Sequence, residues 1–431
     1  MKTILLAATA TLALASAAHA QDPHAGHAMG GMAPEAPAEY PLGALPHQMT
    51  SALGPFPMSR DGSGTAWLPD ASPHMGAMGQ HGEWMTMSHA LLNVVYSDQG
   101  GPRGDDKAFL AGMVMGMAQR PLGAGTLGLR AMLSPDPFMG AKGYPLLLAA
   151  GESADGKTPI IDRQHPHDLF MELSASYSLP VGEDGSVFLY AGLPGEPAYG
   201  PASFMHRLSS LDSPEAPITH HWLDSTHITF GVLTAGYTQG AWKLEASRFR
   251  GREPDEKRYD IETGALDSTA ARVSWNAGAN WSLQASWADI KSPEALEPHH
   301  DETRYSASAA YVRSLDNGGL VAVTLAASQK NRQPGPILWG YLAEAAWMPN
   351  DAWTVFGRAE QIDADELSGG HGAPPVTVGK ISVGVVRDWT IRPGVKLGLG
   401  GLVSGFDIPG ALGASYGEPS AGMVFVRLKV G

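Results

Sequence analysis

LFMELSASYSL, residues 169 to 179, puts Leu169, Met171, Leu173, Ala175, Tyr177 and Leu179 on one side of an extended chain and Phe170, Glu172, Ser174, Ser176 and Ser178 on the other. Side chains alternate across a strand, so a period of two reads as a strand with one apolar and one polar face. WSLQASW (281–287) repeats the pattern, with Trp281, Leu283, Ala285 and Trp287 opposed to Ser282, Gln284 and Ser286. VFVRLKV (424–430) sets Val424, Val426, Leu428 and Val430 against Phe425, Arg427 and Lys429. From Met85 onward such segments recur between clusters of Gly, Pro, Asn and Asp. They predict about sixteen strands (14 to 18), starting near residues 85, 107, 124, 169, 186, 226, 241, 268, 281, 303, 319, 337, 352, 376, 395 and 419.

The connections fall into two classes. After every even strand comes a tight turn: RPLG at 120, VGEDG at 181, TQG at 238, AGAN at 277, SLDNGG at 314, PND at 349 and TIRPG at 390. After every odd strand comes something longer, and two of these loops are very long. Long loops are out of keeping with a compact soluble domain. Strict short/long alternation is the signature of an outer-membrane barrel, with periplasmic turns on one rim and extracellular loops on the other. Trp242, Trp275, Trp281, Trp287, Trp347, Trp353 and Trp389 fall near predicted strand ends, where interfacial girdles belong. The expected fold is therefore all-β: an antiparallel up-and-down transmembrane β-barrel over residues 83–431. A secreted β-sandwich, or a soluble repeat array with its apolar face buried, is the competing reading.

Residues 1–20, MKTILLAATATLALASAAHA, carry Lys2, an apolar run from Ile4 to Ala15 and the small-residue site Ala18-His19-Ala20. That is the pattern of a cleaved secretory signal, and the run is too short to span a bilayer as a helix. Residues 21–82 contain HAGHAMGGMAPEAPAEYP and MGAMGQHG, which lack periodicity and are expected to be largely irregular. Within them His24, His27, Met29 and Met32 combine imidazoles with thioethers, a set that suits copper in either oxidation state. A flexible leader is the plainer alternative. With no cysteine in the chain, disulfides and thiolate ligands are excluded, and any soft ligand must be methionine. The formal charge of −14 argues against a nucleic-acid partner and is compatible with a cation.

DRQHPHD (162–168) closes the long loop before the fourth strand. FMHR (204–207) and THHWLDSTH (219–227) close the one before the sixth. On a barrel these segments bring His165, His167, His206, His220, His221 and His227 to the outer mouth, with Asp162, Asp168 and Asp224 among them. A His-X-His pair in extended conformation sends both rings to one side. A third nitrogen or a carboxylate would then complete a Zn or Cu(II) site, with an Asp orienting a ring. The same imidazoles, flanked by Arg163 and Arg207, would equally brace folded-in loops by hydrogen bonds. Catalysis is a third option.

WMTMSHALLNVVY (84–96) and KAFLAGMVMGMAQ (107–119) place Met85, Met87 and His89 on one face of the first strand and Met113, Met115 and Met117 on one face of the second. The opposite face of the second strand is apolar enough to meet lipid, so the methionines are expected in the lumen. Antiparallel pairing would gather Met85, Met87, Met115 and Met117 into a thioether ladder suited to Cu(I) or Ag(I); flexible filling of an apolar surface explains them equally well. GASYG (413–417) matches G-x-S-x-G around Ser415, but in a predicted loop rather than a strand-to-helix elbow.

Through DRQHPHDLFMEL (162–173), LRAMLSPDP (129–137), YAGLPGEPA (190–198), ITHHWLDSTHITFG (218–231) and FRGREPDE (249–256), the chain resembles a family of Gram-negative secreted or outer-membrane proteins. Members of that family tend to stand beside copper and other heavy-metal resistance genes. The resemblance runs from about residue 50 to the C-terminus; it implies an envelope location and metal stress, and no ligand residues. The resulting expectation is an exported outer-membrane barrel that binds copper, or a related soft or borderline metal, or passes it across the outer membrane in metal tolerance. Cu(I)/Cu(II) stand ahead of Zn, and no organic cofactor is expected. Expected partners are membrane lipid, metal ions and periplasmic metal-handling proteins, with the oligomeric state open. Two alternatives stand beside it: a general porin-like channel with His-braced loops, and an envelope metalloenzyme or hydrolase.

Overall fold

A computed structural model describes residues 49–367 and 374–431. The leader at 1–20 and His24, His27, Met29 and Met32 lie outside these residues. The barrel strands are β1 (Trp84–Gln99), β2 (Asp105–Leu122), β3 (Gly125–Leu133), β4 (Phe170–Val181), β5 (Gly185–Gly192), β6 (Val232–Gln239), β7 (Trp242–Phe249) and β8 (Ser268–Trp275). They continue as β9 (Trp281–Ile290), β10 (Asp301–Ser314), β11 (Leu320–Gln333), β12 (Ile337–Asn350), β13 (Trp353–Ala364), β14 (Val376–Arg392), β15 (Val395–Asp407) and β16 (Ser420–Val430). Each pairs antiparallel with its neighbours, and β16 closes on β1 from Ala421–Gln99 to Val430–Ala90. The sheet has no free edge, which is how strands cross a bilayer with every backbone group paired.

Alternation decides the two surfaces. Val424, Val426 and Leu428 are exposed on the outside of β16 while Phe425 and Arg427 are buried inside, and Trp281 and Trp287 oppose the buried Ser282 and Ser286 on β9. On β4 a bulge intervenes: Leu133 faces Phe170 and Met132 faces Glu172, leaving Met171 unpaired. The extra residue shifts the register. Met171, expected on the apolar face, is buried in the interior beside Met113, Met115 and Met132. Tryptophans ring both rims. Trp242, Trp275, Trp281, Trp347, Trp353 and Trp389 lie beside short turns; Trp287 and Trp339, with Tyr96 and Tyr305, lie toward the opposite end. Trp339 and Trp347 on β12 are eight residues apart, roughly 26 Å along a strand, and strand tilt reduces this to about 20 Å of bilayer-facing height.

The structure departs from the sequence reading in three further places. β6 begins at Val232 instead of near 226, because 220–227 wind into a helical turn (His220–Leu223) and a 3-10 turn (Ser225–His227). The short/long alternation is not strict: residues 334–336 alone join β11 to β12 on the long-loop rim. Third, residues 49–76 are packed inside the barrel and 77–81 form a strand, where a largely disordered extension was expected. They show no periodicity because barrel side chains, rather than a ladder, satisfy much of their backbone. Ser178 and Ser186 donate to the Ala52 and Leu53 carbonyls at 2.8 and 2.6 Å. Arg130 donates to Gly62 and Gly64 at 3.2 and 2.7 Å, Lys243 to Thr65, and Asn276 to Leu68 at 2.9 Å. Trp67 is the segment's apolar anchor, in edge contact with Phe56 at 5.2 Å and beneath the Arg60 guanidinium at 4.6 Å. Many of these contacts come from strand ends beside short turns, so the segment closes the short-turn mouth. Ala77–His81 then pairs with the start of β1, from Ala77–Ser88 to His81–Trp84.

Two long loops fill the rest of the lumen. Residues 134–169 carry a hairpin (Tyr144–Ser153 with Pro159–Gln164) whose Leu146, Leu147 and Leu148 are buried in a cluster with Leu338, Leu342 and Ala346 of β12. Residues 193–231 run deeper. Arg207 donates to Glu344 at 2.8 Å, Asp212 pairs with Arg427, and Glu215 pairs with Lys380 at 2.7 Å. Leu208 and Leu211 reach the cluster of Val312, Leu320 and Ala322 next to the turn at 315–319. Trp67→Ala should cost about 3 kcal/mol of the N-terminal segment's seating. Limited proteolysis should then cut within residues 49–76 while the barrel keeps its heat-modifiable migration; a segment that stays fully protected contradicts this seating.

Candidate histidine site in the barrel lumen

DRQHPHD leaves the loop hairpin at Gln164 and runs extended into β4, and Pro166 between the two histidines favours that extended path. The second long loop returns to the barrel wall through the turns at 220–227. The two approaches bring five rings together. His167 and His227 have ring centres 5.1 Å apart, as have His220 and His227, and His167 and His220 stand at 6.4 Å. His165 lies 6.0 Å from His220 and 5.5 Å from His221. Phe204 packs against His167, His220 and His227 at 6.0, 5.6 and 6.2 Å. All five imidazoles are buried within the mouth rather than displayed above it.

Three of the rings are hydrogen-bonded through Nδ1, and the other two turn Nδ1 toward a carboxylate. His167 meets Asp136 at 2.8 Å, His220 meets the Asp224 carboxylate at 2.7 Å, and His227 meets the Asp224 carbonyl at 2.6 Å. His165 lies 3.2 Å from Glu152 and His221 lies 3.6 Å from Glu253. The Nε2 atoms of His165, His167, His221 and His227 are buried with no hydrogen-bond partner. Burial, with help from neighbouring cations and rings, holds His165 and His227 well below the ordinary histidine range. Burial also lowers His220, against the opposing pull of Asp224. His221 is raised: burial works against the charge, but Glu253 beside it outweighs that, and Glu253 itself is held down to about 2. Burial lifts Asp168 to about 7 in spite of Arg258.

Asp224 joins the nest to the wall. Its Oδ2 accepts from Arg207 at 2.7 Å and from the Phe204 amide at 3.0 Å, and Arg207 in turn meets Glu344, which also binds Arg358 at 3.0 Å. A third loop, 250–267, contributes Glu253 and Arg258; Arg258 bridges Glu152 and Asp168.

The remaining predicted site residues divide. Asp168 is one step removed from the rings, through Arg258 and Glu152. Asp162 is outside the nest: it accepts from the Leu148 amide and the Tyr416 hydroxyl, both at 2.9 Å, and pairs with Arg103 at 2.6 Å. It ties three loops together, because its position in the hairpin turns it away from the histidines. His206 faces His89 of β1 at 6.4 Å, apart from the other five. The methionines face inward as expected, but the ladder is differently composed. Met87 pairs with Met117, Met115 sits opposite His89, and Met85 sits opposite Gln119. Met113 and Met115 pack among Leu91, Met132, Met171, Leu208, Leu211, Ile228 and Phe230, which is apolar filling. Ser415 is exposed on a helical turn, Gly413–Tyr416, and no histidine hydrogen-bonds to it among the described residues. Sequence reasoning missed Asp136, Glu152, Glu253, Arg258 and Phe204; the available signal was that Asp136 lies in LRAMLSPDP and Glu253 in FRGREPDE. Among the described residues no three His, Asp or Glu side chains are placed, as they stand, to hold a metal ion together.

No protein-family model matches the chain, and no curated protein is similar to it in sequence. Solved structures do match. OmpF of Salmonella typhi in complex with daunomycin aligns with a TM-score of 0.50 at 9% identity, over 82% of this chain and 100% of that one. The fold is that of an outer-membrane porin. An anion-selective porin from Comamonas acidovorans (TM-score 0.46, 13% identity, 80% of this chain and 100% of that one) also aligns. So does the outer-membrane channel DcaP of Acinetobacter baumannii (0.46, 9%, 83% and 100%). Within this porin fold Asp224 is the joint between loop and wall. Asp224→Ala leaves Arg207 short of a buried partner and frees the His220 ring, while His227 keeps the backbone carbonyl at 224, at a cost of about 3–5 kcal/mol. Loop 193–231 should become protease-sensitive in the folded barrel, and a loop that resists digestion as well as the wild type contradicts the assignment.

Proposed function

We propose that this chain is an outer-membrane channel of the porin kind, held shut by its own N-terminal segment and two inward loops, with histidine–carboxylate pairs bracing those loops. The observation that carries the reading is the burial of the lumen lining. Arg272, Arg304, Lys330, Arg358, Lys380 and Arg427 all point inward from strands, and all are buried. In an open pore such residues are wetted; here loop and segment groups meet them. A lining of paired charges suits small polar or charged solutes once the closure is released.

The closure has the character of a latch. The two loops insert as folded bodies with their own hydrogen bonds, such as His167–Asp136 within the first and His220–Asp224 within the second, and meet one another through contacts such as the Ala216 amide donating to the Tyr144 hydroxyl at 2.9 Å. In planar bilayers the wild-type chain should be silent or open rarely. Arg207→Ala, which cuts the link from loop to Glu344, should raise open probability at least tenfold, as should Arg60→Ala at the other mouth, where Arg60 holds Asp70 at 2.6 Å and the Gly240 carbonyl at 2.8 Å. A wild type that conducts steadily, or folded variants that stay as silent as the wild type, contradicts the reading.

A further inference from the structure

The nest contains more imidazole nitrogen than bracing uses. Bracing consumes Nδ1, yet the Nε2 atoms of His165, His167, His221 and His227 remain buried and unpartnered. A buried polar atom left bare costs about 1–3 kcal/mol, so several in one place call for an occupant. Their chemistry is fixed by what Nδ1 meets. The Asp224 carbonyl can only accept, so His227 carries its proton on Nδ1 and presents a lone pair at Nε2. His167 and His220, facing carboxylates, are oriented the same way. Nδ1–H on a carboxylate or carbonyl with Nε2 bare, as at His167 and His227, is the arrangement that prepares histidine for a metal.

The spacing agrees. The ring centres of His167, His220 and His227 form a triangle of 5.1, 5.1 and 6.4 Å. The point equidistant from all three lies about 3.3 Å from each. An imidazole bound at 2.0–2.1 Å has its ring centre roughly 3.2 Å from the ion. Two of the rings stand nearly opposite and the third between them, a tetragonal disposition with one side left open. His165 stands 6.0 Å from His220 and 6.3 Å from His167. The His221 ring packs against Gly151, where any side chain would collide with it. The donors do not yet converge as a finished coordination group, so binding requires the rings to swing while keeping their Nδ1 partners.

We propose that the nest is a binding site for one divalent first-row transition ion, Cu(II) or Zn(II), held by Nε2 of His167, His220 and His227. The ligand set is all nitrogen, with neither thiolate nor carboxylate in direct contact, which selects borderline ions over Mg(II) or Ca(II). Because His167 belongs to the first long loop and the other two to the second, the ion cross-links the two elements that close the outer mouth, and it stabilises the closed barrel by mass action. This assignment stands apart from the channel reading: it is measured in detergent, with no conductance involved.

The test titrates the purified mature chain in detergent with CuCl2 and, separately, ZnCl2 by calorimetry, beside a His167→Gln/His227→Gln double variant. The wild type should take up one more equivalent of at least one of the two ions than the variant. With Cu(II), its paramagnetic resonance signal should carry splitting from at least three nitrogens that the variant lacks. Equal uptake by the folded variant, as when the nest holds only water, overturns the proposal. If the double variant does not fold, thermal unfolding of the wild-type barrel decides the matter. One equivalent of the ion beyond that taken by residues 21–48 should raise the unfolding midpoint by several degrees. An unmoved midpoint overturns the proposal, because an ion held outside the barrel leaves its unfolding unchanged.

Discussion

Charge pointed into a filled interior must be paired, and that constraint governs the inside of this barrel. Strand alternation sends Arg130, Lys243, Arg272, Arg304, Arg358, Lys380 and Arg427 inward. Each is met by a carboxylate or by a carbonyl of the chain that fills the lumen, as with Arg427 between Asp212 and Asp388 and Arg272 against Glu245 and Gly200. Such pairs bring little net stability when compared with apolar packing, but breaking one is expensive. The pairing therefore fixes where the loops and the N-terminal segment sit. Those inserted segments have little regular secondary structure, and inward-pointing side chains supply the hydrogen bonds that their backbones lack.

The histidine nest follows from the same logic. Asp224 is shared between Arg207, which ties it to the wall at Glu344, and the two rings His220 and His227. Electrostatics at the wall thus set the orientation of the imidazoles, and a ring whose Nδ1 is fixed has only Nε2 left with which to act. Closure of the barrel and preparation of the nest are one arrangement seen from two sides.

The strands were legible in the sequence because a period of two is written into every one of them, and fifteen of the sixteen expected starts fall within a few residues of those observed, the sixth being the exception. That strand begins late because Asp224 stabilises turns through 220–227, a local choice which alternation does not report. The gathering of histidines at one mouth followed from loop topology alone. Their partners did not: Asp136 lies thirty-one residues from His167, and Glu253 sits in a third loop, so only folding brings them together. The segment 49–81 was opaque for a different reason. Its order is borrowed from Arg130, Lys243 and Asn276, and nothing in its own composition predicts a partner. Met171 changed face through a one-residue bulge, which reverses every inference from parity on its far side.

A filled lumen is the claim on which the rest stands, and the absence of cysteine from the chain makes it directly measurable. A single cysteine in place of the buried, lumen-facing Ser404 should resist a membrane-impermeant thiol reagent added from either side. One at the exposed Thr158 of the loop hairpin should react at once. Comparable reaction rates at the two positions in the folded, membrane-inserted protein would mean that water fills the barrel, and the account of a chain closed upon itself would be wrong.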